Sequence, residues 1–188
     1  MEAFTVTTGG RPWVPFTYDE ADPVIECGGH DGITKSLSLK TSMCLNMNTL
    51  LIEGSPSNFK TLKQARNYDF TVNAALCDGT FIEMNENPFN SGETRVASPN
   101  DSKKNVIQTK CTSIDKELDK LTALLPKSQR DKLELIFLVL DVEGHEPIAI
   151  QGNMRYRPHK VFMEGKHAIE SDQVKITDWA KHHNLVDT

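Results

Sequence analysis

The sequence predicts an α/β fold, a doubly wound and mainly parallel sheet with helices on its faces. Short apolar runs alternate with segments of helical spacing, the pattern of parallel strands linked by helices. The longest run, Leu133 to Val142, is almost continuously apolar, as a strand buried on both faces requires. Two runs end in acidic, glycine-bearing stretches, Glu26-Cys27-Gly28-Gly29-His30-Asp31-Gly32 and Asp141-Val142-Glu143-Gly144-His145-Glu146. Ligands of open α/β sheets collect beyond the carboxyl ends of the strands, which is where both stretches fall.

In chain order, Pro23 to Cys27 is the first strand. Ile33, Leu37 and Cys44 follow at roughly helical spacing, and a second strand at Thr49 to Ile52 ends in Glu53-Gly54. Ser55 can accept backbone N–H bonds at a helix start and Pro56 already holds a helical φ, so a helix begins there with Phe59, Leu62 and Ala65 inward. Phe70 to Leu76 reads as a third strand, and the Asp78-Gly79 pair turns the chain into Thr80 to Met84. Residues 85–105 are rich in Asn, Ser, Gly and Pro, the composition of a surface loop or lid. Val106 to Cys111 is a strand, and Ser113 caps a helix with Ile114, Leu118, Leu121 and Leu125 inward. The run from Leu133 to Val142 is the best candidate for a central strand. Pro147 opens a short helical segment that stops near Gly152, and Val161-Phe162-Met163 forms a strand ending in Glu164-Gly165. Ser171 is the expected cap of a last helix that buries Val174 and Trp179, after which Asn184-Leu185-Val186 begins a further element.

A chain of 188 residues can bury one sizeable core, and nothing in its composition marks a second, so residues 1–188 read as a single domain with a poorly defined N-terminal extension over 1–22. Lys and Arg total 21 against 26 Asp and Glu, a net charge of -5 without a basic cluster, which argues against nucleic acid as a partner. The first residues lack the basic flank and apolar stretch of a signal peptide, and no run is long enough to span a bilayer, so a cytoplasmic location is the default expectation. Cys27, Cys44, Cys77 and Cys111 show no Cys-x-x-Cys spacing and read as reduced, partly buried thiols rather than a zinc knot or redox pair. Oligomeric state is not legible.

The first acidic stretch combines glycines, which let a backbone approach a ligand closely, with two carboxylates. Its Glu-x-Gly-Gly-x-Asp-Gly spacing is neither the dinucleotide-binding Gly-x-Gly-x-x-Gly nor a phosphate loop. A loop this acidic, with no Lys or Arg before Lys35, repels a pyrophosphate but tolerates a ligand carrying a sulfonium and an amino group, as S-adenosylmethionine does. A nicotinamide-binding oxidoreductase is the rival enzyme class, disfavoured by the same spacing.

Four motifs in order resemble the FkbM family of S-adenosylmethionine-dependent methyltransferases: Ile25 to Gly32, Leu51-Ile52-Glu53-Gly54-Ser55-Pro56-Ser57-Asn58-Phe59-Lys60-Thr61-Leu62, Asn73-Ala74-Ala75-Leu76-Cys77-Asp78, and Leu140 to Glu146. The resemblance runs from about Val24 to Ile169. It implies a class I methyltransferase (Rossmann-like) fold and O-methylation of a hydroxyl on a sugar or other small-molecule acceptor. It places Glu26, Gly28, Gly29, Asp31 and Gly32 around the methionine part of the cofactor and Glu53 on the ribose hydroxyls. Ala75, Leu76 and Asp78 are placed at the adenine. Asp141, Glu143 and His145 become the candidate catalytic residues, with His145 the natural general base near neutral pH. Glu146, Glu164 and His167 are candidates for the acceptor pocket. The quartet Asp141, Glu143, His145 and Glu146 could hold a divalent ion through oxygen ligands, but its carboxylates could equally bind substrate hydroxyls, and metal is left unassigned. Proteins of this fold finish the sheet with two further strands, one antiparallel, so the C-terminal edge is expected to be lacking. The alternative is a catalytically silent module that keeps the fold for cofactor binding or interaction.

Overall fold

The computed structural model describes residues 3–8, 23–45, 47–87, 92, 94–131, 133–135, 137–150, 155–164, 170–182 and 185–187. The elements run β1 (Ala3–Thr8), β2 (Val24–Cys27), α1 (Leu39–Leu45), β3 (Thr49–Glu53), α2 (Pro56–Ala65), β4 (Phe70–Asn73), β5 (Ala75–Leu76), β6 (Phe81–Asn85) and β7 (Arg95–Val96). They continue with β8 (Val106–Thr112), α3 (Ile114–Ala123), α4 (Lys127–Arg130), β9 (Phe137–Leu140), α5 (Glu146–Ala149), β10 (Lys160–Glu164), α6 (Glu170–His182) and β11 (Leu185–Asp187).

The main sheet has the order β11-β1-β10-β9-β2-β3-β4, with β10, β9, β2, β3 and β4 parallel. The chain moves outward from β2 through β3 to β4, then returns to the other side of β2 for β9 and β10. The order therefore reverses between β2 and β9, the place where such sheets open a crevice. Both strands are buried on each face: Val24, Ile25, Leu138 and Leu140 are fully inaccessible. Ile25, Leu50, Ile52 and Leu138 point to the side where Ile114, Leu118 and Leu121 of α3 and Ala180 of α6 complete the core. Leu51 of β3 and Leu62 of α2 crowd Gly29 on the other side, so helices cover both faces.

The helix starts at Ser55 and Ser113 are as expected, each side chain accepting from a backbone N–H three residues on. Several expectations are corrected. The run 70–76 divides: β4 closes the main sheet, while β5 joins a second sheet of order β5-β8-β6-β7. Within residues 85–105, expected as a surface loop or lid, β7 pairs with β6 and Arg95 holds Asp101 through two hydrogen bonds of 2.9 and 2.7 Å, while 97–105 run as turns and loop. Ile33 and Leu37 are exposed and lie in turns, the helix forming only from Leu39. Helix α6 begins at Glu170, which puts Ser171 within it, and Val174 is 56 % exposed while Trp179 packs against the core.

The edge of the sheet is also not lacking. β1 pairs antiparallel with β10, and β11 pairs antiparallel with β1, so the backbone groups along β10 are taken up by a strand from the N-terminal extension. The expectation of four reduced thiols is overturned by a Cys77–Cys111 disulfide, its Cα atoms 5.1 Å apart. Parallel pairing of β5 with β8, which sets Ala75 opposite Cys111, brings together cysteines 34 residues apart. Cys27 and Cys44 are free. Among the described residues no helix is long and apolar enough to cross a membrane.

Candidate functional site

The carboxyl ends of β2, β3, β9 and β10 surround one cavity of about 990 Å³ at the point where the strand order reverses. Its walls come together through a backbone contact. Asp141 N–H donates to the Cys27 carbonyl at 3.0 Å, and Gly28 follows with φ +84°. A Cβ on Gly28 would stand 1.8 Å from the Asp141 carbonyl oxygen, so only glycine lets the two acidic stretches meet. On the β3 side a Cβ on Gly54 would meet Met84 Sδ at 2.7 Å, a contact that the flexible methionine end could yield to, unlike the backbone clash at Gly28.

On the β2–β3 side the carboxylates accept from backbone and side-chain donors. Glu26 Oε1 accepts from Leu37 N–H at 2.9 Å, and its Oε2 accepts from Ser36 Oγ, Ser38 N–H and Ser38 Oγ. Glu26 thereby ties down the loop after β2, which explains why 33–37 turn instead of continuing as helix. Arg66, 2 % exposed, grips the same loop from α2 by donating to the Gly32 carbonyl at 3.0 Å and Ser36 Oγ at 3.1 Å, with Asp69 as its salt-bridge partner. Glu53 Oε2 accepts from His30 N–H at 2.8 Å and Oε1 from Ser55 N–H at 2.7 Å. Burial pushes the Glu53 carboxyl up to about 7, against the opposing pull of these hydrogen bonds and one from Asn58.

The β9–β10 side is different. Leu140 pairs in register with Met163, so Asp141 and Glu164 are the next residues along two adjacent parallel strands. Val139 and Phe162, two residues before each, line the same cavity, as the period of a strand demands. Asp141 Oδ1 and Glu164 Oε2 are buried atoms with no hydrogen-bond partner among the described residues. Burial and then the charge of Glu164 push the Asp141 carboxyl up to about 7. Glu143 enters from the following loop with φ 54°, a left-handed conformation uncommon for a residue with a Cβ. His145 Nε2 is also buried without a partner among the described residues, and burial lowers the imidazole pKa, which favours the neutral form.

The structure thus brings Glu26, Gly28, Gly29, Glu53, Ala75, Leu76, Asp141, Glu143, His145 and Glu164 to one cavity. Asp31 does not line it: its carboxylate accepts from Ile33 N–H, Thr34 N–H and Thr34 Oγ and shapes a local turn. Gly32 and Asp78 also lie outside the lining, Asp78 being exposed beside the Asp-Gly turn. Glu146 sits behind the loop, 1 % exposed, with Oε1 accepting from Val142 and Gly144 N–H. His167 falls outside the described residues. Arg66, Ser36 and Ser38 carried no signal in the sequence, where an arginine at a helix end reads as an ordinary dipole partner. Met84 and Val96 of the second sheet, with the neighbouring Thr94, wall the cavity; Thr94 and Val96 were hidden in a segment read as loop, and Met84 in the run after the Asp-Gly turn carried no site signal.

The fold and site define an α/β protein with a carboxylate-lined cavity at the point where the strand order of its sheet reverses. Comparison of the chain with family models, curated proteins and solved structures gives no significant match.

Proposed function

We propose that this chain is an S-adenosylmethionine-dependent methyltransferase that O-methylates a hydroxyl of a sugar or other small-molecule acceptor. The observation that carries the reading is the convergence of Glu26, Glu53, Asp141, Glu143 and Glu164 on one cavity in which Lys35 is the only Lys or Arg among the described lining residues. Such a cavity favours a ligand bearing positive charge and disfavours a pyrophosphate. Its volume suits a nucleoside cofactor with room for an acceptor. The reversal of strand order at β2 and β9 supports a class I methyltransferase arrangement in which the cofactor lies across the strand ends.

On this reading the backbone at Gly28 and Gly29 faces the methionine part and Glu53 faces the ribose. Two of the roughly four acceptor sites of the Glu53 carboxylate are taken by His30 and Ser55 N–H and one more by Asn58, which leaves capacity for a ribose hydroxyl. Ala75 and Leu76 flank the adenine. Glu26 acts indirectly, by holding the 36–38 loop over the cavity. Methyl transfer is a displacement on an already activated carbon, so alignment of the acceptor oxygen supplies most of the acceleration. His145, favoured in its neutral form and with no partner at Nε2 among the described residues, takes the hydroxyl proton, with Asp141 or Glu143 as the alternative. The Cys77–Cys111 disulfide favours an oxidising compartment over the cytoplasm as the place of action.

Calorimetric titration with S-adenosylhomocysteine and, separately, with NAD tests the reading. Micromolar binding of the former and none of the latter is expected, and Glu53→Gln weakens it by about 1 to 3 kcal/mol, the range for a lost hydrogen bond to a charged group. Binding of NAD alone, or of neither, removes the proposal. A hydroxyl-acceptor screen then separates an active enzyme from a silent cofactor-binding module.

A further inference from the structure

We propose that Asp141, Glu143 and Glu164 form a binding site for one hard divalent cation of the Mg²⁺, Mn²⁺ or Ca²⁺ type. Each of the three offers a carboxylate oxygen, and these oxygens lie within 4.8 Å of one another. Oxygens on opposite sides of such an ion stand about 4 to 5 Å apart, given metal–oxygen distances of about 2.1 to 2.5 Å. The ligands come from two adjacent strand ends and the loop between β9 and α5, so the sheet itself sets the spacing of two of them.

The three residues are only partly buried, yet two of their oxygens are withdrawn from solvent. Asp141 Oδ1 and Glu164 Oε2 are both buried and lack a hydrogen-bond partner among the described residues. Behind them stands Glu146, 1 % exposed, whose Oε1 is anchored to Val142 and Gly144 N–H while its Oε2 has no partner among the described residues. That buried carboxylate is close enough for its charge to act on Asp141 and for the charge of Glu164 to act on it, so it belongs to the same field of negative charge. Like charges on neighbouring strands repel, and buried acceptors without donors are costly. A cation seated among the carboxylates answers both. The ligand set is entirely oxygen, which selects a hard ion over zinc or copper. An ion held by three carboxylates keeps further coordination positions for water or for the oxygens of a ligand in the cavity.

The inference is independent of the methyltransferase reading, and one pair of titrations separates them. The full chain, freed of metal by chelation, is titrated with MnCl₂, MgCl₂ and CaCl₂, with bound Mn²⁺ followed by loss of its free paramagnetic signal. One ion per chain with sub-millimolar affinity is expected for at least one of the three. The double variant Asp141→Asn/Glu164→Gln weakens binding at least tenfold, while Asp131→Asn, an exposed carboxylate paired with Lys127, leaves it unchanged. Should the double variant fail to fold, Glu143→Gln takes its place, with the same expected loss. No binding up to 5 mM of any of the three ions overturns the site, which would mean that the carboxylates only share a proton. Binding that survives these variants overturns it too. S-adenosylhomocysteine binding in the presence of a chelator, with no ion bound in its absence, sinks this site alone, and ion binding without nucleoside binding sinks the cofactor reading alone.

Discussion

The two walls of the cavity are built from the same residue types and behave in opposite ways. On the β2–β3 wall Glu26 and Glu53 are 4 and 5 % exposed, and their oxygens are met by N–H and hydroxyl donors from the loops they organise. On the β9–β10 wall Asp141 and Glu164 have buried oxygens with no partner among the described residues and stand beside each other. A buried carboxylate supplied with donors helps hold the scaffold, even where it keeps a lone pair for a ligand as proposed for Glu53, whereas an oxygen left without donors is open to a ligand or proton. The contrast teaches that acidity at a strand end does not by itself mark the reactive wall. The supply of donors does.

The largest expected effect comes from disturbing the contact that joins the walls. Gly28→Ala introduces a Cβ into the Asp141 carbonyl and an unfavourable positive φ, and it lowers stability by about 4 kcal/mol or more, measured by chemical denaturation. A loss below about 1 kcal/mol would mean the walls are not in contact. Next, Glu26→Ala strands the Leu37 and Ser38 N–H groups and costs about 3 kcal/mol, again by denaturation. If Glu26 instead only lines the cavity, stability is unchanged and affinity alone falls.

The pH dependence of stability sharpens the comparison further. The Glu53 carboxyl is raised from 4.5 to about 7, so the folded state holds this proton over a range where the unfolded chain has released it. The contribution is fully present below about pH 4.5 and is lost as pH rises to about 7, a fall of a few kcal/mol from this group. The groups facing it are the N–H donors of His30 and Ser55, the Asn58 side chain and the charge of Glu86, itself tied to Ser55 and Ser57. Thermal melts of wild type and Glu53→Gln from pH 5 to 8 check the sign, the variant showing a flatter profile. The smallest effect belongs to the other wall. Asp141→Asn removes the charge repulsion with Glu164 while its amide N–H can still donate to the Glu164 carboxylate in place of the present side-chain hydrogen bond, and it stabilises the metal-free protein by about 0.5 to 1 kcal/mol. Destabilisation by this change would show that the β9–β10 wall is as well supplied with donors as its counterpart.

Much of this arrangement was legible before any coordinates. Val24 to Cys27, Thr49 to Glu53 and the run containing Phe137 to Leu140 are apolar strands bounded by turn-forming residues, and Ser55 and Ser113 are helix caps, because such signals act within a few residues. The acidic strand ends were legible for the same reason. What failed was whatever depended on partners far along the chain. Cys77 and Cys111 had no local spacing to betray them, the run 70–76 gave no sign of passing from one sheet to another, and Ile33 and Leu37 kept a helical spacing that Glu26 overrode.

By itself, then, the sequence determined the alternating elements, the sheet with its helical cover, and the collection of carboxylates at the strand tips, since periodicity and capping are local properties of a chain. Tertiary structure alone decided that β1 closes the edge beside β10, that Arg66 clamps the loop after β2, and which carboxylates go without donors. The physical reason is that a hydrogen bond or a charge is satisfied by whatever packing brings within about 3 Å, and that distance is set by strand order and register rather than by neighbours in sequence.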